Sequence, residues 1–332
     1  MQNEELILQI KDLKGYYKGS FGTVYSVDGV TLNVNKGDIV AIAGESGCGK
    51  STLAELITGT PKPLLHYQSG DILIDNFNIY KTPSDILRKD VKTKIVSYVP
   101  QASLDSLNPV LKIIDFISDV VKERTGEKVA KTELVKFAGD HFERVGLNRD
   151  VIQKYPHELS GGMKQRSVIA ISTMWNPKLL IVDEPTSALD VSSQKKIIKM
   201  LYEMKRDGII ESILFVSHDV SSLSQICNKM IIMYAGHLQE YGNMDDMVKK
   251  PLHPYTNLLM NSIVSFDPNG KHKEKLESIS GSPPSLKSPP NGCRFNPRCP
   301  KVKDICLEKE PPLFEINDEN RFVKCWLYGE GN

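Results

Sequence analysis

The string Gly44-Glu45-Ser46-Gly47-Cys48-Gly49-Lys50-Ser51-Thr52 limits this chain more than any other stretch. It has the spacing GxxxxGK[ST], follows the apolar run Ile39-Val40-Ala41-Ile42-Ala43, and precedes a helix-like run from Ser51 to Thr58. Strand, glycine loop and helix in that order form a cradle for phosphate. Successive backbone N–H groups curl around the anion, and the helix N-terminus adds the positive end of its dipole. Lys50 is placed to reach β- and γ-phosphates, and the Ser51 hydroxyl to ligate Mg²⁺. Ser46, Gly47, Cys48, Gly49 and Thr52 complete the loop. It specifies a nucleoside triphosphate but not the use made of it.

The remaining composition is that of an ordinary globular protein. The 332 residues are 40% hydrophobic and 25% charged, enough for one large domain and a smaller one. A net charge of +1 gives no reason to expect nucleic acid as a partner. No apolar run approaches the roughly 18 residues that cross a bilayer. The N-terminus, MQNEELILQI, carries acid where a signal peptide carries base. A cytoplasmic chain is expected, with any membrane role supplied by a partner.

Periodicity sets the fold class. Leu6–Ile10, Val24–Val27 and Val30–Val34 read as short strands of an antiparallel layer, with Asp71–Ile74 and Ile95–Val99 as a second pair. From Leu107 to Lys154 the pattern turns helical, with Val110, Ile113, Ile114 and Ile117 on one face. Leu134, Phe137, His141, Phe142 and Val145 lie on the next, across a charged connector at Lys122–Lys131. Leu179–Val182 and Ile213–Val216 are continuous apolar runs of the kind buried on both faces of a parallel sheet, flanking an amphipathic helix at Ser192–Arg206. The expectation is an α/β cassette over residues 1–250, with a parallel core sheet, an antiparallel β layer and an all-helical insert near 103–165. From about Pro251 proline and serine become dense, so residues 251–332 are expected to form a small irregular C-terminal domain.

Two further strings carry chemistry. The buried run Leu179–Val182 ends in Asp183 and Glu184. Asp183 is suited to hold Mg²⁺, and Glu184 to orient or deprotonate an attacking water. Standing alone, such a pair would serve equally well as a helix N-cap with solvated charge. Leu159-Ser160-Gly161-Gly162-Met163 opens a helix with a second anion cradle of backbone N–H groups and a hydroxyl. One γ-phosphate does not need two cradles in one chain. Two chains head to tail do, each nucleotide lying between the phosphate loop of one and the Ser-Gly-Gly helix of the other.

With these strings in place, the chain closely resembles the nucleotide-binding subunits of ATP-binding cassette (ABC) proteins, whose signature is LSGGQ. Met163 stands where that signature has Gln, a departure familiar from the oligopeptide/dipeptide branch. The resemblance implies ATP and Mg²⁺ as ligands and ATP hydrolysis as the activity. It places Gln101 at the Q-loop, contacting Mg²⁺ or the attacking water, and Ser187, Ala188, Leu189 and Asp190 at the D-loop. It makes His218 the switch histidine at the γ-phosphate, and Tyr17, in competition with Tyr16 and Tyr25, the aromatic that stacks on adenine. Ser106-Leu107-Asn108-Pro109, His253-Pro254-Tyr255-Thr256, Gly281-Ser282-Pro283-Pro284 and Gly292–Pro300 are similar to stretches of the ATPase subunits of oligopeptide, dipeptide and nickel importers.

That resemblance implies a peripheral subunit on the cytoplasmic face of the cell membrane. It would sit beneath two permeases, beside a sister ATPase or a second copy of itself, and be served by an extracytoplasmic substrate-binding protein. The alternative is a soluble ABC ATPase acting on DNA or ribosomes. The interval from Gly44 to Leu159 lacks the long coiled coil of the DNA members, and one cassette is present where translation factors carry two. Cys293, Cys299, Cys306 and Cys325 crowd the C-terminal region in a spacing that is not the CxxC of a zinc ribbon. Four thiolates match a [4Fe–4S] cluster, which members of this importer branch carry, with zinc as the alternative.

Overall fold

The computed structural model describes residues 5–187, 189–263, 279–316 and 320–329. The chain opens with strands β1 (Leu6–Gly19), β2 (Gly22–Asn35) and β3 (Ile39–Ala43), helix α1 (Lys50–Ile57), and strands β4 (Leu65–Ile74) and β5 (Phe77–Asn78). Next come a one-turn helix α2 (Ser84–Ile86), β6 (Val96–Val99), and helices α3 (Ile113–Thr125), α4 (Lys131–Arg144) and α5 (Gly161–Thr173). They are followed by β7 (Leu179–Asp183), α6 (Val191–Arg206), β8 (Ser212–Val216), α7 (Val220–Leu223), β9 (Lys229–Tyr234) and β10 (His237–Asn243). The last elements are α8 (Met244–Lys249), α9 (Pro254–Ile263), α10 (Asp304–Glu308), β11 (Phe314–Ile316) and β12 (Arg321–Val323). They group into two compact units.

One unit comprises Leu8–Val34, Asp38–Ile72 and Val216–Asn332. Its strands run in the order β11, β12, β10, β9, β3. β3 is wholly buried and pairs in parallel with β9, Val40 opposite Lys229 and Ala43 opposite Ile232. β9 returns antiparallel into β10 through Ala235 and Gly236, both at positive φ (48° and 82°). That is the backbone a two-residue hairpin of type I′ demands. β1 and β2 are neighbours joined by the two-residue turn Ser20-Phe21, which makes them antiparallel. The two short strands expected at Val24–Val27 and Val30–Val34 are one strand here. Gly29, at φ 79°, absorbs the break in alternation that separated them in the sequence.

The other unit comprises Met1–Ile7, Asn35–Gly37 and Leu73–Phe215. β8, β7 and β6 lie side by side, and β6 is parallel to β7 with Tyr98 opposite Ile181. β6 was expected to partner the strand ending at Ile74; the end of that strand instead pairs antiparallel with β5, Leu73 opposite Asn78 and Ile74 opposite Phe77. The helical stretch carries α3 and α4, whose buried faces present Ile113, Ile114, Ile117 and Val121, and Leu134, Ala138, His141 and Phe142. Two expected core residues lie outside it. Val110 precedes α3 and is 75% exposed, and Phe137 is 42% exposed beside the Trp175 ring. His141 is buried and bonds Thr173 at 3.2 Å, and burial pushes it down to about 4, so it is a neutral core side chain.

Candidate nucleotide site

The phosphate loop is shaped by close backbone contacts with neighbouring strands. β3 delivers the chain to Gly44, whose φ is 148° and where a Cβ would lie 2.1 Å from the Met233 carbonyl oxygen of β9. Gly49, at φ 106°, has the Ser26 carbonyl 2.0 Å from where a Cβ would stand. These two positions therefore admit only glycine, because the obstacles are backbone and cannot swing aside. Gly49 is also the N-cap of α1, so no side chain covers that helix end. The Lys50 ammonium folds back into the loop and donates to the Gly44 carbonyl (2.9 Å) and the Glu45 carbonyl (3.0 Å), 3.8 Å from the Cys48 sulfur. Lys50, Thr52 and Cys48 are buried, Ser46 and Gly47 exposed, and Ser51 half-buried. An anion settling on the loop meets a cation already held at its centre.

Tyr17, in the same unit, is half-buried on β1. Of its competitors, Tyr16 donates its hydroxyl to Asp28 at 2.6 Å and packs edge-on against Tyr25, ring centroids 4.8 Å apart. His218 is exposed immediately after β8. Asp219 caps α7, accepting from Ser222 N–H at 3.2 Å, and the preceding Ser217 N–H donates to the Ile42 carbonyl at 3.2 Å. Burial raises the Asp219 pKa, but hydrogen bonds from Ser221 and Ser222 outweigh it and hold the carboxyl below its usual range.

In the other unit β7 carries Asp183 to a fully buried position, where the Tyr98 hydroxyl of the neighbouring β6 donates to it at 3.3 Å. Glu184 follows in the left-handed region, φ 48°, a costly conformation for a residue with a side chain. It is held there by the Ser187 N–H (3.1 Å) and hydroxyl (2.9 Å), both donating to its carbonyl. Gln101 is exposed just past β6. Ser160 caps α5 by accepting from the Met163 N–H at 3.3 Å, and Gly161 and Gly162 begin the helix. A Cβ on Gly161 would sit 3.4 Å from Leu189, and one on Gly162 3.0 Å from the Ser193 hydroxyl, so the Ser-Gly-Gly turn and the Ser187–Asp190 loop pack together. Asp190 caps α6 on Ser193. Ala188 lies outside the described residues.

Sequence reasoning missed one connection in this unit. Ser103, 2% exposed, donates to Gln165 Oε1 at 2.9 Å, tying the loop after Gln101 to the helix that Ser160 caps. A Gln two residues past the Ser-Gly-Gly-Met string, on a helix with a largely apolar inner face, was the available signal.

The family model for ABC transporters matches residues 27–187, and that for the oligopeptide/dipeptide transporter C-terminal region matches residues 239–306. The dipeptide transport ATP-binding protein DppD of Caldanaerobacter subterraneus subsp. tengcongensis is 39% identical over 327 residues, covering 98% of both chains. The oligopeptide transport ATP-binding protein OppD of Bacillus subtilis is 36% identical over 324 residues, 97% of this chain and 88% of its own. The chain belongs to the ATP-binding subunits of oligopeptide/dipeptide ABC importers. Its ABC cassette fold agrees: the ATP-binding cassette MJ0796 bound to ADP and Pi superposes with a TM-score of 0.62 over 71% of this chain and 98% of that one, at 26% identity. CbiO1 of Clostridium perfringens gives 0.60 over 75% and 93%, at 30% identity. In this importer ATPase no helix among the described residues is long and apolar enough to cross a membrane.

The expected four-cysteine metal site is not assembled. Among the described residues no three or more Cys, His, Asp or Glu side chains converge in an arrangement that holds a metal ion. Cys293, Cys306 and Cys325 are buried, Cys299 is half-buried, and all are unpaired thiols. Burial, with repulsion from the neighbouring thiolates, pushes Cys293 up to about 12 and Cys325 up to about 11.

Proposed function

We propose that this chain is the ATP-hydrolysing subunit of a peptide importer, working peripherally at the cytoplasmic face beneath two permeases and paired with a sister ATPase or a second copy. The observation that carries the ATPase assignment is the closed phosphate loop with Lys50 held at its centre. The oligopeptide-type region at 239–306 supports the importer class, with residues 1–250 as cassette and 251–332 as C-terminal domain. Lys50, Ser46, Gly47, Gly49, Ser51 and Thr52 bind the phosphates, and Tyr17 stacks on adenine because Tyr16 and Tyr25 are engaged with Asp28 and each other. Ser51, Gln101 and Asp183 hold Mg²⁺. Glu184 takes the proton of the attacking water, and His218 steadies the γ-phosphate. Ser160, Gly161, Gly162 and Met163 serve the partner chain's nucleotide. The test is ATP turnover by the assembled importer in liposomes: peptide uptake with ATP inside supports the reading, and co-purification with ribosomes or DNA instead of permeases overturns it.

The four cysteines are proposed to take an iron–sulfur cluster as a structural staple of the C-terminal region. Supporting this, Cys293, Cys306 and Cys325 are all buried, and the Cys293 N–H donates to the Cys306 carbonyl at 2.9 Å, which holds two of the four segments together. When bound, the cluster would tie together chain segments that have little core of their own. Iron and acid-labile sulfide in the anaerobically purified protein would bear this out; zinc alone, or neither, would not.

A further inference from the structure

Arg298 comes from the cysteine-rich C-terminal segment, yet its guanidinium ends in the phosphate loop. Its side chain is 5% exposed. Nη1 donates to Glu45 Oε2 at 2.7 Å and Nη2 to Glu45 Oε1 at 3.0 Å, a two-point grip on the second residue of the loop. The other three N–H bonds are also committed: Nη1 to the Tyr234 hydroxyl (3.1 Å), Nη2 to the Gly281 carbonyl (3.1 Å) and Nε to the Ser280 carbonyl (2.8 Å). All five donors of the side chain therefore have acceptors. The Glu45 backbone is held as well, its N–H donating to the Tyr255 hydroxyl at 2.9 Å, with Tyr255 fully buried against Tyr234. Beside it the Gly236 N–H donates to the Cys48 carbonyl at 2.9 Å.

The chemistry poses a question that the nucleotide motifs do not answer. Glu45 places a carboxylate in a loop whose purpose is to receive a triphosphate, and like charges repel strongly where water is scarce. We propose that Arg298 is a positioning residue for the ATP site: it neutralises Glu45 and pins its side chain away from the cradle, so that C-terminal region and phosphate loop bind nucleotide as one piece. Only the planar fork of arginine can meet both carboxylate oxygens while donating to Tyr234, Ser280 and Gly281, so lysine is not an equivalent. Removing Arg298 frees a negative charge beside the phosphates; removing Glu45 with it takes that charge away again. The inference rests on the reading of the loop as an ATP site.

The test titrates N-methylanthraniloyl-ATP into full-length wild type, R298M, E45Q and the E45Q/R298M double variant, with ATPase kinetics on each. Wild type is expected to bind, and failure there would sink the ATP reading itself. R298M is expected to bind about tenfold or more weakly, raising KM for ATP with little change in kcat. E45Q/R298M is expected to recover to within about threefold of E45Q. A wild-type affinity for R298M, or a double variant as weak as R298M, would overturn the role of Arg298 while leaving the ATP site standing. Should R298M fail to fold, R298K asks the same question: affinity falls by about threefold or more because one ammonium cannot bridge both oxygens, and unchanged affinity overturns the proposal.

Discussion

Replacing Gly49 and Gly47 separately by alanine separates backbone strain from backbone collision in the phosphate loop. Both have left-handed φ, 106° and 77°, so each alanine costs about 1–2 kcal/mol in conformation alone. At Gly47 a Cβ meets nothing within 4 Å, and that is the whole cost. At Gly49 the Cβ stands 2.0 Å from the Ser26 carbonyl oxygen, an overlap that only backbone movement relieves. Forced overpacking of this kind costs about 1–3 kcal/mol more. G49A is therefore expected to be less stable than G47A by about 1–3 kcal/mol, roughly one to two orders of magnitude in the folded-to-unfolded ratio. The urea midpoints of the two variants read this difference, and a nucleotide titration should show G49A losing ATP where G47A retains weakened binding. Equal midpoints and equal affinities would refute the claim that the Ser26 carbonyl shapes the loop.

Three other outcomes are expected. S103A leaves the buried Gln165 oxygen without its donor and should cost about 1–3 kcal/mol in denaturation, with no cavity larger than one hydroxyl to confuse the result. Stability should fall on acidification. Burial holds His141 and His237 down to about 4 and His253 down to about 3, while unfolded histidine titrates near 6.5. As the pH falls below that value only the unfolded chain takes up protons, so each of the three should cost about 1.4 kcal/mol between pH 7.5 and 5.5, and H141Q should lose about a third of this slope. R321M should destabilise the protein by about 3 kcal/mol, because it removes the guanidinium that reaches the fully buried Glu240 carboxylate at 3.0 Å and leaves that charge to the Leu252 and His253 N–H groups alone. R321M/E240Q should recover part of that loss in the same denaturation series.

What the sequence disclosed was chemistry written in contiguous strings. GESGCGKST, LSGGM and the Asp183-Glu184 pair each carry their geometry with them, because neighbours along the chain supply the strand, the turn and the helix start. Relations between distant residues were not legible. Nothing local to Glu45 announces Arg298, 253 residues away, and nothing in Ser103 announces Gln165. Burial within a periodic stretch was legible only in part: Phe137 keeps its helical spacing, yet the face it completes runs out to solvent beside Trp175. Val110 failed differently, since Pro109 and the turn ending at Leu111 keep it out of α3. Gly29 misled in the opposite sense, dividing in the sequence a strand that its positive φ keeps whole.

The central claim is that this loop and its acidic strand end hydrolyse ATP only when a second cassette closes on them. E184Q tests it most directly: with ATP and Mg²⁺, the full-length variant should move, alone or with its sister ATPase, from a monomeric to a dimeric position in size-exclusion chromatography while retaining unhydrolysed ATP. A variant that turns over ATP at the wild-type rate, or that binds ATP and stays monomeric with every cassette partner supplied, would contradict it.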